Sequence, residues 1–158
     1  LKRRAEHDGL TGLLTRNALV RRLKPVLAGE RAFFLGIMDI DDFRGINDTF
    51  GHSAGDVVLR RMGAVLQEQL GDADMASRIG GDEFALIVNG AVTEGFCKSR
   101  VEKIKAAIRE PYRLKDAEVQ VGTSCGCAVY PCDSDDVRAI RILADHRMYE
   151  DKQRSGRS

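Results

Sequence analysis

Phe33-Phe34-Leu35-Gly36-Ile37-Met38 is a nearly unbroken apolar run. A strand of that kind offers no polar side to water, so it is covered on both faces and lies inside its sheet. It ends abruptly in an acidic cluster, Asp39-Ile40-Asp41-Asp42. Two further strand-like segments, 75–79 and the apolar run 84–88, flank the sequence Gly80-Gly81-Asp82-Glu83. That spacing predicts a hairpin with the glycine pair at its turn, where positive φ costs glycine little. The hairpin tip then carries two carboxylates.

Helical periodicity fills the gaps between these strands. Thr15 is a fitting N-cap for a helix reaching about residue 27. A short helical turn is expected over 43–50, with Gly51 and Gly55 as punctuation. A helix over 56–70 puts Val58, Leu59, Met62, Val65, Leu66 and Leu70 on one broad face. A helix over 93–109 follows, then a strand over 118–130 ended by Pro131. The last helix, 134–152, carries Ile140, Leu143, Ala144 and Met148 on its apolar face. The core order β-α-β-β-α-β defines an α+β fold of the split βαβ type, an antiparallel-centred sheet with helices on one face and further flanking helices. Residues 1–158 are expected to form one domain, with 153–158 as a flexible tail.

Composition narrows the function classes. A chain of 158 residues is long enough for a real core. With a net charge of +1 and no tryptophan, nothing recruits or stacks nucleic acid, and no nucleic-acid partner is expected. No signal peptide and no apolar run of transmembrane length is present, which leads to the expectation of a cytoplasmic domain. The chain begins at Leu1 rather than Met, so it reads as part of a longer, conceivably membrane-tethered protein. Cys97, Cys125, Cys127 and Cys132 form no C-x-x-C pair, and are expected as buried small hydrophobes in a reducing cytosol.

The acidic clusters carry the chemistry. In this topology the end of the first strand and the hairpin tip meet at one edge, so Asp39, Asp82 and Glu83 converge. Carboxylates so close repel unless a cation neutralises them or one keeps its proton. Mg²⁺ is the natural cation, because it takes oxygen ligands, keeps several waters and bridges phosphate oxygens. Taken alone, Asp82 and Glu83 read equally well as solvated turn residues, and the matching cluster at Asp39 favours the metal. Asp41 or Asp42 suits a cap of the next helical turn, and Asp42 is expected in that role. The N–H groups from Asp41 to Arg44 would open a cradle for phosphate oxygens. Arg44 and Lys152 are candidate phosphate cations.

Five segments, in order, resemble the GGDEF domain of the diguanylate cyclase family over essentially the full chain. Asp8-Gly9-Leu10-Thr11-Gly12-Leu13 resembles its opening D-x-L-T-G-L signature. Residues 39–52 resemble D-x-D-x-F-K-x-I-N-D-x-x-G-H, and Gly55-Asp56 matches the G-D that follows. Gly80-Gly81-Asp82-Glu83-Phe84 is the name-giving motif, unaltered. Ala144-Asp145, Tyr149 and Lys152 match the closing A-D-x-x-L-Y-x-A-K.

The resemblance implies a palm-like nucleotide-cyclase fold and a transferase that condenses two GTP into cyclic di-GMP and two pyrophosphates. It implies a Mg²⁺ or Mn²⁺ site at Asp39, the Ile40 carbonyl, Asp82 and Glu83. Asp82 is the position associated with deprotonating the attacking hydroxyl, and Asp82 and Glu83 are the expected catalytic pair. GTP contacts are implied at Phe43, Arg44, Asn47, Asp56, Gly80, Gly81 and Lys152. Asn47 and Asp56 contact guanine and ribose, since a carboxylate accepts from guanine's adjacent N–H donors and an amide both donates and accepts. The expected partners are GTP, a second copy in an at least transient homodimer, and an upstream sensor or a phosphodiesterase domain. The runner-up is a low-turnover GTP-binding regulatory module; a different nucleotidyl transferase and a non-enzymatic interaction domain are more distant readings.

Four departures stand out. Arg44 replaces the usual lysine, keeping the charge and adding a planar fork. Thr15 replaces a common asparagine, with an effect on capping only. The tail has one residue more than the commoner K-x-x-G-R spacing, so no phosphate role passes to Arg157. The R-x-x-D product-inhibition motif is degenerate: Gly71 stands for the arginine, and Asp74 remains.

Overall fold

The structure, a computed structural model, describes residues 6–90 and 93–155. Along the chain run β1 (Leu14–Thr15), α1 (Arg16–Ala28), β2 (Phe33–Ile40), α2 (Phe43–Phe50), α3 (His52–Gln69), β3 (Met75–Arg78) and β4 (Glu83–Asn89). Then come α4 (Glu94–Arg109), β5 (Tyr112–Leu114), β6 (Ala117–Val119), β7 (Thr123–Tyr130) and α5 (Val137–Arg154). Five strands form one sheet in the order β1-β3-β4-β2-β7. Its three inner pairings are antiparallel, and the short β1 lies parallel to β3. This is the split βαβ arrangement.

Every residue of β2 except Asp39 is buried, and side-chain alternation divides the strand between two cores. Phe34, Met38 and Ile40 join Phe84, Leu86 and Val88 under α3 and α4. Phe33, Leu35 and Ile37 join Ala85, Ile87 and Ala128 under α1 and α5. The expectation of helices on one face is therefore corrected. A strand apolar on both sides needs a layer on each, and α1 and α5 supply the second.

Local capping follows the sequence closely. Thr15 Oγ1 accepts from Ala18 N at 3.2 Å, and Thr93 Oγ1 from Phe96 N at 3.1 Å. Each such cap contributes about 1 kcal/mol. The last helix starts at Val137 rather than 134, with Asp136 as its cap. Gln153 and Arg154, expected in a tail, finish α5, and residues 156–158, including Arg157, lie outside the described residues.

Four further expectations change. The helix expected from 56 begins at His52. Gly51, at φ 91°, makes the break before it, whereas Gly55 is buried inside α3. The strand expected over 118–130 is two strands: β6 pairs with β5 in a separate ribbon, and β7 joins the main sheet. Between them the Gly122 carbonyl accepts the Asp41 N–H at 2.9 Å. Gly80 and Gly81 do not use left-handed φ; among the described residues the glycines that do are Gly12, Gly51 and Gly90. Finally, Cys97 and Cys125 are buried as expected, but Cys127 is half-buried and Cys132 exposed, all as free thiols.

β7 forms one border of the sheet, and side chains seal it. Asp151 Oδ2 accepts from Cys125 N at 2.9 Å, and Arg147 Nη1 donates to the Cys127 carbonyl at 2.7 Å. Val129 N donates to Asp133 Oδ2 at 2.7 Å, while Asp133 N returns a bond to the Val129 carbonyl at 2.8 Å. Among the described residues no helix is long and apolar enough to cross a membrane.

Candidate active site

The sheet register assembles the acids. Asp39 pairs with Glu83 on one side and with Ser124 on the other. Directly opposed residues share a face, so Asp39 and Glu83 lie on the α5 side with Ile37 and Ala85. Ile40 N donates to the Asp82 carbonyl at 3.2 Å, which stitches the hairpin tip to the end of β2.

The Asp39 side chain is only 18% exposed, and its Oδ2 accepts from Lys152 Nζ at 2.7 Å. Among the described residues its Oδ1 is buried and has no hydrogen-bond partner. Burial pushes the Asp39 carboxyl up to about 6; Lys152 pulls it down, and the neighbouring Asp82 carboxylate adds to the rise. Glu83 is also raised, first by burial, then by Asp145 and Asp39, with Arg141 and Arg16 opposing.

Among the described residues no group of three or more His, Cys, Asp or Glu side chains is preassembled around a metal position. Mg²⁺ does not require one, since it is held by one or two carboxylates together with water and substrate phosphates. An unpartnered, buried carboxylate oxygen beside a second carboxylate fits such an ion.

The acids after Ile40 have other work. Asp41 is buried, and its Oδ1 accepts from Ser124 Oγ at 2.6 Å. Because its N–H is bonded to Gly122, it leaves the expected phosphate cradle, which starts no earlier than Asp42. Asp42 occupies the N-cap position of α2 in left-handed geometry, with φ 50°, but makes no side-chain cap. Its carboxylate instead lies over Gly45, where a Cβ would collide with it. The expected capping role is overturned: Asp42 has left-handed backbone geometry instead of the extended geometry of an N-cap, and its side chain accepts no cap hydrogen bond.

The nucleotide-contact candidates divide. Phe43, Asn47 and Asp56 gather where α2 meets α3, around Gly55. A Cβ at Gly55 would run into Asn47 Oδ1, and the Phe43 ring edge stands 3.1 Å from the same point. Lys152 reaches the Asp39 carboxylate. Arg44 does not: its side chain is 95% exposed and lies 4.0 Å from Asp48. Gly80 and Gly81 are exposed, and a Cβ on Gly81 would meet nothing within 4 Å. Protein packing therefore does not demand glycine at 81.

Sequence reasoning gave no role to Arg78 or Asp8. Arg78 donates through Nε and Nη2 to the Gly81 carbonyl, at 3.1 and 2.9 Å, and pairs with Asp8 at 3.3 Å. Asp8 Oδ2 also accepts from Thr11 N at 2.9 Å and Thr11 Oγ1 at 2.8 Å. The opening segment thus braces the hairpin tip. The D-x-x-T spacing of a side-chain-bonded turn was the available signal.

At the degenerate product-inhibition motif, Asp74 is fully engaged. Its Oδ2 accepts from Gly71 N at 2.9 Å and faces Arg100 at 3.4 Å, and its Oδ1 accepts from Asn89 N at 3.0 Å.

Comparison with known proteins agrees with this geometry. The family model described as "Diguanylate cyclase, GGDEF domain" matches residues 5–158. The chain is 34% identical over 158 residues to the bifunctional diguanylate cyclase/cyclic di-GMP phosphodiesterase MucR of Pseudomonas aeruginosa, covering 96% of this chain and 23% of that protein. The isolated GGDEF domain of TpbB from the same organism superimposes with a TM-score of 0.88 at 33% identity, over 94% of this chain and 89% of that one. The GGDEF domain of DgcB from Caulobacter crescentus, solved with c-di-GMP, gives 0.84 at 30% identity, over 99% and 95%. The chain spans less than half the length of the curated relatives it matches.

Proposed function

Because the chain belongs to the diguanylate cyclase family through its GGDEF domain, we propose that it condenses two GTP molecules into cyclic di-GMP with release of two pyrophosphates. The observation that carries the reading is the buried, unpartnered Oδ1 of Asp39, held beside Asp82 and Lys152 at the edge of the sheet.

Asp39 and Asp82, with the Ile40 carbonyl and Glu83, are the groups that would hold Mg²⁺ or Mn²⁺. When bound, the ion neutralises charge on the α-phosphate and lowers the pKa of the attacking 3′-hydroxyl. Asp82 takes the proton of that hydroxyl at its carboxylate. Lys152 holds a terminal phosphate beside Asp39, and Arg44 swings in from solvent to a second phosphate oxygen. Asn47 and Asp56 bind the guanine edge and ribose, with Phe43 packed behind them. The open space around Gly81 lets backbone approach the nucleotide.

Each domain holds one GTP, so the reaction needs two copies facing each other about a two-fold axis. The rest is orientation of one 3′-hydroxyl toward the other α-phosphorus. A sensor or a phosphodiesterase domain joined to this one would act by governing that encounter. The regulatory-module alternative is not favoured, since Asp39, Asp82 and Glu83 are all present.

The test is incubation with GTP and Mg²⁺ followed by chromatography of the products, with Asp82→Ala as control. Absence of cyclic di-GMP from the unaltered protein at high concentration rejects the reading. Specific activity should fall on dilution, and a rate per domain that stays constant argues against the two-copy site. Because Asp74 is internally bonded and Gly71 has no guanidinium, added cyclic di-GMP should inhibit weakly or not at all.

A further inference from the structure

Four charged side chains alternate in sign across the C-terminal turn of α5. Lys105 Nζ lies 2.6 Å from Asp151 Oδ2, and Lys152 Nζ lies 2.7 Å from Asp39 Oδ2. All four are largely withdrawn from water, with side chains 14–18% exposed. We propose that Asp151 is a positioning residue of the nucleotide site: it fixes the last turn of α5 so that Lys152 is delivered to Asp39. This rests on the reading of Asp39 and Lys152 given above.

Three elements meet at the Asp151 carboxylate. Lys105 comes from α4, and the Cys125 N–H comes from the outer border of β7 at 2.9 Å. The strand residue before Cys125 is Ser124, which is paired with Asp39 and donates to Asp41. Asp151 is therefore tied to the strand within one residue of the catalytic register.

Successive helical residues point about 100° apart. Holding Asp151 toward β7 and α4 thus sets the direction of Lys152. A second staple lies one turn earlier, where Arg147 Nη1 bonds the Cys127 carbonyl. Between the two staples the α5 backbone rides directly on Gly126, where a Cβ would collide with the main chain of Ala144, Arg147 and Met148. The helix would stay docked without Asp151, but its last turn would lose its tether.

The closing A-D-x-x-L-Y-x-A-K pattern has alanine before its lysine, where this chain has Asp151. Burial alone would raise the Asp151 carboxyl, yet Lys105 and the Cys125 N–H together hold it below its usual value.

The experiment compares wild type, Asp151→Asn, Asp151→Ala and Lys105→Met, and Asp151→Ala again in a Lys152→Ala background. Two readouts are taken: the rate of Lys152 acylation by a small amine-reactive ester, followed by mass spectrometry, and KM against kcat for GTP. Lys152 acylation should rise about fivefold to tenfold in Asp151→Ala and Lys105→Met, the scale of coupling within one ion-pair network. KM should rise more than kcat falls, and Lys152→Ala should erase the effect of Asp151→Ala. Unchanged Lys152 labelling in both variants overturns the proposal, as does an equal loss of affinity with and without Lys152. Should Asp151→Ala fail to melt cooperatively, Asp151→Asn and Lys105→Met carry the comparison. If wild type forms no cyclic di-GMP, the functional reading fails, and the labelling still decides whether the clamp exists.

Discussion

Asp39 and Asp74 are both mostly buried aspartates beside the same sheet, and the fold treats them in opposite ways. Asp74 receives Gly71 N–H, Asn89 N–H and the Arg100 guanidinium, so both oxygens are complete. Asp39 receives Lys152 on one oxygen and, among the described residues, no donor on the other, with the Asp82 carboxylate beside it. A carboxylate completed by its own chain belongs to the structure. One left open at the cost of desolvation is held ready for something outside it. The difference separates the proposed site from a segment whose aspartate has been absorbed into packing.

The contrast can be broken most sharply at the open site. Asp82→Ala should lower cyclic di-GMP formation by at least about 10³-fold, with a melting curve close to wild type, read by product chromatography and thermal denaturation. A variant keeping a tenth of the rate would erase the distinction. Next, Asp74→Ala strands two N–H donors and a guanidinium, and should destabilise by about 2–3 kcal/mol in urea unfolding, with KM for GTP unmoved. Asp39→Asn should do the reverse: stability within about 1 kcal/mol of wild type, but loss of metal-dependent GTP binding in calorimetry.

The smallest effect is one of pH. Asp133 is held below 3.8 by the Val129 N–H and Arg147, and Asp151 is lowered as well. A carboxyl depressed by folding adds stability that is fully present above its unfolded value and is lost as pH falls through the folded one. Melting temperature should therefore drop below about pH 4, and the drop should shrink in Asp133→Asn.

Much of this was legible before any coordinates. The run 33–38 fixes a covered inner strand, and its own apolarity on both sides already required the second helical layer that the one-face reading left out. The meeting of the end of β2 with the hairpin tip follows from the strand register, which sets Asp39 opposite Glu83, whereas the reach of Lys152 to Asp39 depends on how α5 packs and is written in no local pattern. What was not legible depends on contacts between distant residues. The break between β6 and β7 interrupts a continuous stretch of strand-like sequence, and rests on the Gly122 carbonyl meeting the Asp41 N–H. Gly55 looked like punctuation because only the Asn47 side chain, brought in by α2, reveals why no larger residue fits. Arg44 faces water, and no sequence pattern reports a rotamer.

The sealed border of β7 bears on what this edge of the sheet can join. Asp151, Arg147 and Asp133 occupy the Cys125 N–H, the Cys127 carbonyl and the Val129 N–H, so these groups are spent before a neighbouring strand can use them. Under the two-copy reading proposed above, an encounter through this border would rest on side chains and substrate. Such a pairing can dissolve after each turnover and free the product, where a backbone-zipped ribbon would trap it.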